Sequence, residues 1–447
     1  MTSQQSKVIK EGWMTKQGGI IKTWKKRWFV LNGDILHYYL KPGGREKGQI
    51  NITDAKIIDT APECRKQPAF KINIPGIRTY YIISDSMNDV KDWIETLETV
   101  RVGKSNVNET NTVSLNDFDL IRVHGRGSYG KVQLVRNKSD HQLYAMKTMS
   151  KRLLQEFDQI EQTIAEKNVL MQTVFPFLVG AHFSFQTDAK IFMVLDYVPG
   201  GELFNRLKEE GKFSESRTQL YAAEILLGLG HLHSLGFVYR DLKPENVLVD
   251  AEGHLKITDF GLVKTNLKNA KDTTTTFCGT PEYIAPEILQ QQPYTKGVDW
   301  WSYGVLLYEM LTGLPPFYHE NTNRMYQMII NEQVDLQHRL SNVAKDLIVK
   351  LLDKDQKTRF GSGEQDAEEI KLHPFFKGLN WDDVKHKRTQ PQWVPSIRND
   401  TDTSNFDQEF TQEEAMISFE DGSLINAESQ DAFVDFTVIK DSVIPSI

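Results

Sequence analysis

Cysteine is almost absent from this sequence. Only Cys64 and Cys278 occur among 447 residues, so no disulfide framework stabilises a chain of this length. Long apolar runs are absent as well: no run reaches about 18 residues, and the first residues lack an apolar signal core. We therefore expect a cytoplasmic protein whose contact with a membrane, if any, is peripheral.

Excess charge of either sign is also small for the chain as a whole. The formal net charge of −7 argues against general nucleic-acid binding. The charges are unevenly distributed, however. Residues 1–104 contain 18 basic and 11 acidic residues, whereas residues 399–447 contain one basic and 12 acidic residues. A basic head and an acidic tail therefore flank a nearly neutral body.

The head has the pattern of a small β protein that ends in a helix. Within 8–83, short apolar runs alternate with Gly, Pro, Asn and Asp turns, which predicts consecutive antiparallel strands forming a barrel or sandwich. The next segment, SMNDVKDWIETLETVRV, has apolar residues at helical spacing, and we expect Trp93 to plug the barrel. The polar stretch that follows, without apolar periodicity, predicts a linker over 102–116.

Several cations surround a glycine-containing turn in the segment KQGGIIKTWKKRWFVL. Clustered Lys and Arg can bind phosphates, although charge alone is equally compatible with a solvated basic face. The order EGWMTKQGGIIKTWKKRWFVL, the later RTYYIIS and the Trp93 helix resemble a pleckstrin-homology domain over 7–101. This resemblance implies phosphoinositide binding at the matching positions Lys16, Lys25, Arg27 and Arg78, with Gln17 where a basic residue is often found.

The body begins with a glycine loop between two predicted strands, LIRVHGRGSYGKVQLV. Glycines at this spacing let backbone amides approach phosphates, but the spacing also occurs in dinucleotide-binding folds. The strand YAMK ending in Lys147 follows, and then YRDLKPEN, DFG and APE in that order. This ordered set is typical of protein kinases, and we predict a kinase domain over 117–376.

The kinase resemblance implies a role for individual residues of these motifs in ATP-dependent phosphoryl transfer with Mg²⁺. Asp241 would accept the proton of the substrate hydroxyl, and Lys243 would offset charge on the transferred group. Glu166 would pair with Lys147, with Glu161 as its rival on the same helix. The predicted Mg²⁺ ligands are Asn246 and Asp259; the predicted ATP-binding residues are Gly125, Gly127, Gly130, Val132, Lys147, Glu166, Leu195, Asp196 and Val198.

Further motifs narrow the branch of the kinase family. TFCGTPEYIAPE, FDQEF and FVDFTV resemble AGC kinases, and together with the head they resemble the Akt/protein kinase B family over nearly the whole chain. Three carboxylates, Glu202, Glu245 and Glu309, match family contacts to arginines upstream of the phosphoacceptor. The resemblance thus implies Ser/Thr substrates of the R-x-R-x-x-S/T kind. For Glu202, an exposed helix-start charge is the alternative.

The activation loop and the tail carry candidate switches. Thr276, two residues before Cys278, matches the activation-loop phosphorylation site, and Arg240 could pair with the phosphate. The tail, 377–447, would be disordered on its charge alone, but its spaced phenylalanines predict docking, with Thr437 as the hydrophobic-motif phosphorylation site. Either Glu420 or Ser418 would serve at the turn motif, which lacks a Thr-Pro pair.

These observations predict a multidomain α+β protein. A pleckstrin-homology β-barrel with a C-terminal helix precedes a bilobal protein kinase fold and an AGC C-terminal tail. We expect a monomer that uses ATP and Mg²⁺, is recruited peripherally to the plasma membrane, and is activated by upstream kinases. A phosphoinositide-binding pseudokinase scaffold is the main alternative; a head that binds proteins or soluble inositol phosphates is a second one.

Overall fold

The computed structural model describes residues 8–440 except for short segments, at 18–22, 34, 53–54, 56, 63, 65, 75–77, 110–112, 128, 266, 268–271, 337–338, 418–424 and 426. The backbone alone is described at 57–59, 78, 101–109 and 427–428. The chain divides into two units, Met1–Thr112 and Val113–Ile447. Among the described residues, no helix is both long enough and apolar enough to cross a membrane.

The first unit is an antiparallel sheet followed by one long helix. The strands lie in the order β4-β3-β2-β1-β7-β6-β5, and no described pairing joins β4 to β5. The described part of the sheet is therefore a curled half-barrel, in agreement with the predicted barrel or sandwich of antiparallel strands. Its elements are β1 (Val8–Gln17), β2 (Trp24–Asn32), β3 (Ile35–Tyr39), β4 (Glu46–Asn51), β5 (Ile57–Thr60), β6 (Ala69–Ile74), β7 (Arg78–Ile83) and α1 (Met87–Glu109).

Helix α1 covers one opening of the curled sheet. Trp93 is 2% exposed and lies against Gly12 of β1, which confirms its predicted place in the core of this unit. The helix continues to Glu109, through eight residues of the segment that was predicted to be a linker. The helical conformation of 102–109 was not predicted, because apolar periodicity indicates a buried helical face and a polar helix turn has no such signature. The linker over 102–116 remains a prediction. The division between the two units falls at 112–113, inside the predicted segment.

The second unit begins with a small lobe built on a six-stranded sheet. The strand order is β15-β11-β12-β10-β9-β8, so the last strand of the chain completes the sheet of the small lobe. Two helices follow β10 and pack beside the sheet. The elements are β8 (Phe118–Gly127), β9 (Gly130–Asn137), β10 (Leu143–Ser150), α2 (Lys151–Glu156), α3 (Ile160–Gln172), β11 (Ala181–Gln186) and β12 (Lys190–Asp196).

The large lobe is helical and is organised around a central helix. Helix α7 is buried from Gly297 to Leu311, and most of its side chains are apolar. The elements are α4 (Leu203–Glu210), α5 (Glu215–Ser234), β13 (Val247–Val249), β14 (Leu255–Ile257), α6 (Pro286–Leu289), α7 (Gly297–Thr312), α8 (Thr322–Asn331), α9 (Asn342–Leu351), α10 (Ala367–Lys371) and α11 (Trp381–Lys385). The tail adds α12 (Gln408–Thr411), α13 (Ala427–Asp431) and β15 (Val438–Ile439).

Candidate active site

The glycine loop, residues 125–130, joins β8 to β9 in an antiparallel hairpin. Gly127 pairs with Gly130, and Gly125 pairs with Val132, which in turn lies opposite Lys147 of β10. A Cβ atom at Gly130 would lie 1.7 Å from the carbonyl oxygen of Thr148, so only glycine fits there. Gly125 and Gly127 have open space at the same position, which leaves their backbone accessible to a ligand.

Lys147 forms a short ion pair with helix α3. Its Nζ lies 2.6 Å from Glu166 Oε1 and 3.7 Å from Asp259 Oδ1. Burial by itself lowers the pKa of Lys147, but the two carboxylates raise it above its usual value, and Lys147 in turn lowers the pKa of Asp259. Glu161, the rival on α3, is exposed. The geometry therefore selects Glu166 as the partner of Lys147.

Asp241 lies in the loop between α5 and β13, and three side chains donate to or pair with its carboxylate. Its Oδ1 accepts from the Thr280 hydroxyl at 2.8 Å, and its Oδ2 accepts from the Asn246 amide at 2.7 Å. The Lys243 ammonium lies 3.1 Å from Oδ2 and also donates to Thr280 at 2.9 Å. Sequence reasoning did not select Thr280, although it follows Gly279 in the segment TFCGTPEYIAPE.

A buried carboxylate of α7 supports the backbone of this loop. Asp299 accepts from the backbone N–H groups of Tyr239 at 2.8 Å and Arg240 at 2.7 Å, and His233 Nε2 lies 2.8 Å from it. Arg240 has a φ of 68°, an unfavourable backbone conformation for a side-chain-bearing residue. Sequence reasoning missed Asp299, which lies about 60 residues from the motif, and His233, which lies near the motif but stands within an apolar helix.

The β13–β14 hairpin brings Asn246 next to Asp259. The Thr258 N–H donates to the Asn246 carbonyl oxygen at 2.9 Å, and Asp259 is the next residue. Among the described residues no group of three or more His, Cys, Asp or Glu side chains could hold a metal ion. One carboxylate and one amide oxygen still suit Mg²⁺, which commonly takes its other ligands from phosphates and water.

The segment 195–198, which we call the hinge, connects the two lobes. Leu195 and Val198 are buried, and Leu195 lies opposite Ala145 of β10. The Asp196 carboxylate lies 2.7 Å from His182 and 2.9 Å from Lys256, so the side chain is engaged away from the hinge. Only the backbone of Asp196 therefore remains as a candidate contact for a nucleotide base.

The tail contributes to the same region. The ring of Phe406 stacks on His124, with centroids 4.2 Å apart, and lies 6.3 Å from the ring of Tyr197 in the hinge. The Asn405 amide donates to the carbonyl oxygen of Pro199 at 3.1 Å. The tail thus packs against both the hinge and the residue that precedes the glycine loop.

Acidic side chains gather on the large lobe beside Lys243. Burial raises the pKa of Glu202, and the nearby carboxylates of Glu245 and Asp407 add to this rise. Oε2 of Glu245 is buried and lacks a hydrogen-bond partner. Asp407 comes from the FDQEF motif of the tail and was not selected from the sequence. This cluster therefore combines three carboxylates, Glu202, Glu245 and Asp407, with the nearby cation Lys243.

Glu309 extends the acidic region into α7. The Tyr283 hydroxyl donates a hydrogen bond to its carboxylate. Burial, together with Glu245 and Glu282, raises the pKa of Glu309 to about 8. A cation brought close to Glu309 would restore its charged form, because opposite charge favours ionisation.

Comparisons with known proteins agree with this geometry. Residues 118–376 match the protein kinase domain family, residues 8–101 the PH domain family, and residues 397–437 the protein kinase C terminal domain family. This chain belongs to the serine/threonine protein kinases. A RAC family serine/threonine-protein kinase homolog of Dictyostelium discoideum is 42% identical over 437 residues, 97% of each chain. The serine/threonine-protein kinase Sgk1 of Homo sapiens is 47% identical over 329 residues, 72% of this chain and 76% of its own.

This kinase therefore combines a PH domain, a protein kinase domain and the C-terminal tail domain of AGC kinases, an Akt-like organisation. The fold class predicted from the sequence is confirmed at this level. The protein kinase family uses ATP and typically Mg²⁺. The pseudokinase alternative is not supported, because the relatives of this chain are kinases and its sequence contains the kinase motif residues Lys147, Asp241, Asn246 and Asp259.

Three of the predicted lipid-binding residues, Lys16, Lys25 and Arg27, lie on one face of the β1–β2 hairpin. Lys16 lies opposite Lys25, and Arg27 lies opposite Met14, which is buried in the core. Paired residues share a face, so these cations point to the concave side of the sheet. Lys16 Nζ lies 4.6 Å from the ring centroid of Tyr38. Arg78 begins β7, and its side chain lies outside the described part of the structure.

The candidate regulatory residues differ in their surroundings. Thr276 is exposed, and its carbonyl oxygen accepts from the Tyr294 hydroxyl at 2.7 Å, which in turn accepts from Arg240 at 3.0 Å. Thr437 is also exposed and follows the buried Phe436. The turn-motif candidates Ser418 and Glu420 lie outside the described residues.

The Lys147–Glu166 pair makes a direct prediction. Glu166→Gln should lower kcat/KM about 100-fold, since a shift of about 1 Å in a positioning group costs that much. It should also lower the free energy of unfolding by up to about 3 kcal/mol, because Lys147 loses its buried partner. Steady-state phosphorylation assays and chemical denaturation measure the two effects.

Glu161→Gln on the same helix is the matched control and should leave both quantities unchanged. If Glu161→Gln were the more damaging substitution, the assignment of Glu166 would be wrong.

Proposed function

We propose that this protein is a phosphoinositide-recruited kinase that transfers the γ-phosphate of ATP to Ser or Thr in arginine-rich substrates. The observation that carries the transfer step is the contact of Asp241 with Lys243 and Thr280. Recruitment would bring a monomeric cytoplasmic protein to the plasma membrane. Upstream kinases would activate it at Thr276 and Thr437.

In the proposed mechanism, the residues of this chain position the reactants and manage charge. Asp241 orients the substrate hydroxyl and accepts its proton, and Lys243 offsets charge on the transferred group. Lys147 holds phosphate oxygens while Glu166 fixes its position, and Asn246 and Asp259 hold Mg²⁺. When bound, Mg²⁺-ATP supplies the phosphoryl group and partial neutralisation of its charge. Gly125, Gly127 and Gly130 offer backbone amides.

The remaining ATP contacts are apolar or come from the backbone. Val132 and Leu195 cover the base, and the backbone of Asp196 and Val198 offers hydrogen bonds to its edge. The burial of Leu195 and Val198 supports this assignment.

Substrate selection is assigned to the acidic cluster of Glu202, Glu245 and Glu309. Arginine suits it because charge-assisted, bidentate hydrogen bonds are strong where carboxylates are partly dehydrated. The raised pKa of Glu202 and Glu309 supports this proposal, since burial and neighbouring carboxylates disfavour the charged form that an arginine would stabilise. Asp407 of the tail adds charge to the same cluster.

Peptide kinetics test this selection. Peptides of the R-x-R-x-x-S kind should exceed their Arg→Ala versions in kcat/KM, and Glu202→Gln should reduce that preference about ten-fold through loss of a charged hydrogen bond. The preference should also grow from pH 6.5 to 8.5, because Glu309, with a pKa of about 8, becomes ionised over this range. Equal kcat/KM for the two peptides in the wild type would refute the proposal.

Lipid binding is assigned to the concave face that carries Lys16, Lys25 and Arg27, with Arg78 on β7. Convergence of these cations on one face supports phosphate binding more strongly than their number does. A soluble inositol phosphate presents the same phosphates, so membrane binding has to be measured directly.

Vesicle sedimentation tests the lipid assignment. Arg27→Ala should weaken binding of the full-length protein to vesicles containing phosphatidylinositol trisphosphate about ten-fold, through loss of a charge-assisted contact. Lys26→Ala is the matched control: its side chain lies on the opposite face, 5.6 Å from the ring of Trp13, and should have little effect. Equal loss in both variants would indicate a diffuse basic surface. Binding of soluble inositol phosphate without vesicle binding would favour the alternative role.

Regulation is assigned to phosphorylation of the two exposed threonines. A phosphate on Thr276 would carry about −1.5 to −2 charges, and the Arg240 guanidinium is linked to the Thr276 backbone through Tyr294. Thr437 follows the docked Phe436, so a phosphate there would act at the surface of the small lobe.

Substitution of the activation-loop threonine tests this regulation. Thr276→Ala should abolish most of the activity of protein purified in its phosphorylated form, because the loop loses its ordering charge. Thr273→Ala, an exposed neighbour in the same tract, should retain activity. Full activity of Thr276→Ala would refute the assignment.

A further inference from the structure

The tail reaches the glycine loop from its outer side. After Phe406 has stacked on His124, helix α12 packs against β8, and the chain then continues along the hairpin of β8 and β9. This path brings the acidic tail next to basic residues of the small lobe. Glu413 of the tail contacts two of these basic residues, Arg126 and Lys131.

The Glu413 carboxylate binds both strands of the hairpin. Its Oε1 lies 2.8 Å from Arg126 Nε, and its Oε2 accepts a hydrogen bond from Arg126 Nη2 at 2.9 Å. The same Oε2 accepts from Lys131 Nζ at 2.9 Å. Arg126 stands between Gly125 and Gly127 on β8, whereas Lys131 follows Gly130 on β9. A single carboxylate therefore connects the two sides of the glycine loop.

We propose that Glu413 is a positioning residue for nucleotide binding, which clamps the glycine loop through Arg126 and Lys131. The inference rests on the proposed role of the loop glycines in holding ATP. The clamp needs no phosphorylation, because a carboxylate is permanently available. Arg126 and Lys131 lower the pKa of Glu413, so the group stays charged at neutral pH.

The glycine loop has high backbone freedom, so a contact that restricts it affects ligand binding. Glycine has the largest backbone freedom, and two of the loop glycines, Gly125 and Gly127, have no atoms near their Cβ positions. Ordering a loop before its ligand arrives removes part of the entropic cost of binding. A bidentate arginine contact restricts geometry more than a single point charge does. The expected effect is therefore on affinity for ATP rather than on the chemical step.

Kinetics of the full-length kinase test the clamp. Glu413→Gln should raise the KM for ATP about two- to five-fold, in line with partly exposed ion pairs, and should leave kcat and the KM for peptide unchanged. Backbone amides of residues 125–131 should exchange hydrogen faster in this variant. Glu414→Gln, at the exposed adjacent residue, is the matched control and should change neither quantity.

A second background tests the contact itself. In a Lys131→Met protein, Glu413→Gln should raise the KM for ATP by less than it does in the wild type, because one partner is already missing. Equal effects in the two backgrounds would overturn the clamp. So would an unchanged KM for ATP in Glu413→Gln, or a parallel fall in kcat and melting temperature, which would indicate only a structural role.

The loop's own role is tested separately with Gly125→Val. If Gly125→Val raises the KM for ATP and Glu413→Gln does not, the clamp is wrong and the loop's role stands. If neither variant changes that KM, the proposed role of the loop fails, and the clamp fails with it.

Discussion

The ion pair between Lys147 and Glu166 is the contact on which the small lobe's active arrangement depends. A buried carboxylate without a partner is costly, so the 2.6 Å contact constrains α3 against the sheet. The next residue, Lys167, donates to the Asp435 carbonyl oxygen at 3.1 Å and lies 5.4 Å from the ring of Phe436. Lys147 and the tail therefore contact adjacent residues of helix α3, Glu166 and Lys167. This adjacency gives a physical route from docking of the tail to the position of Lys147.

The large lobe meets a different constraint, because its catalytic segments adopt unfavourable backbone conformations. Arg240 and Asp259 have φ values of 68° and 56°, and such residues cost about 1–3 kcal/mol each. Asp299 stabilises the first of them by accepting two backbone hydrogen bonds while it faces His233. Burial lowers the pKa of His233, but Asp366 and Asp299 raise it to about 9, so this support is a charged network within the apolar interior. Buried, paired charges therefore fix the backbone of the loop between α5 and β13 in this unfavourable conformation.

Local sequence patterns selected residues that the structure brings together at the candidate site, but not the residues that support them. Lys147, Asp241 and Asp259 stand in motifs whose spacing reports their chemistry, and the Trp93 stripe reports the buried face of its helix. Asp299 carries no such signal, since its partners are brought together only by packing of α7 against α5. The extension of α1 to Glu109 was missed for the opposite reason: it is local, but its sequence has no apolar periodicity.

The tail shows how a segment can be ordered although its composition favours disorder. The net charge of −11 on residues 399–447 would keep an isolated chain expanded, since like charges repel. In this protein Phe433 and Phe436 are almost fully buried, and β15 pairs with β11, an otherwise open edge of the sheet. The charges that disfavour collapse of the tail on itself favour its contact with Arg126 and Lys131. The tail is therefore not a third domain: its folding free energy comes from contacts with the kinase lobes, and its order depends on theirs.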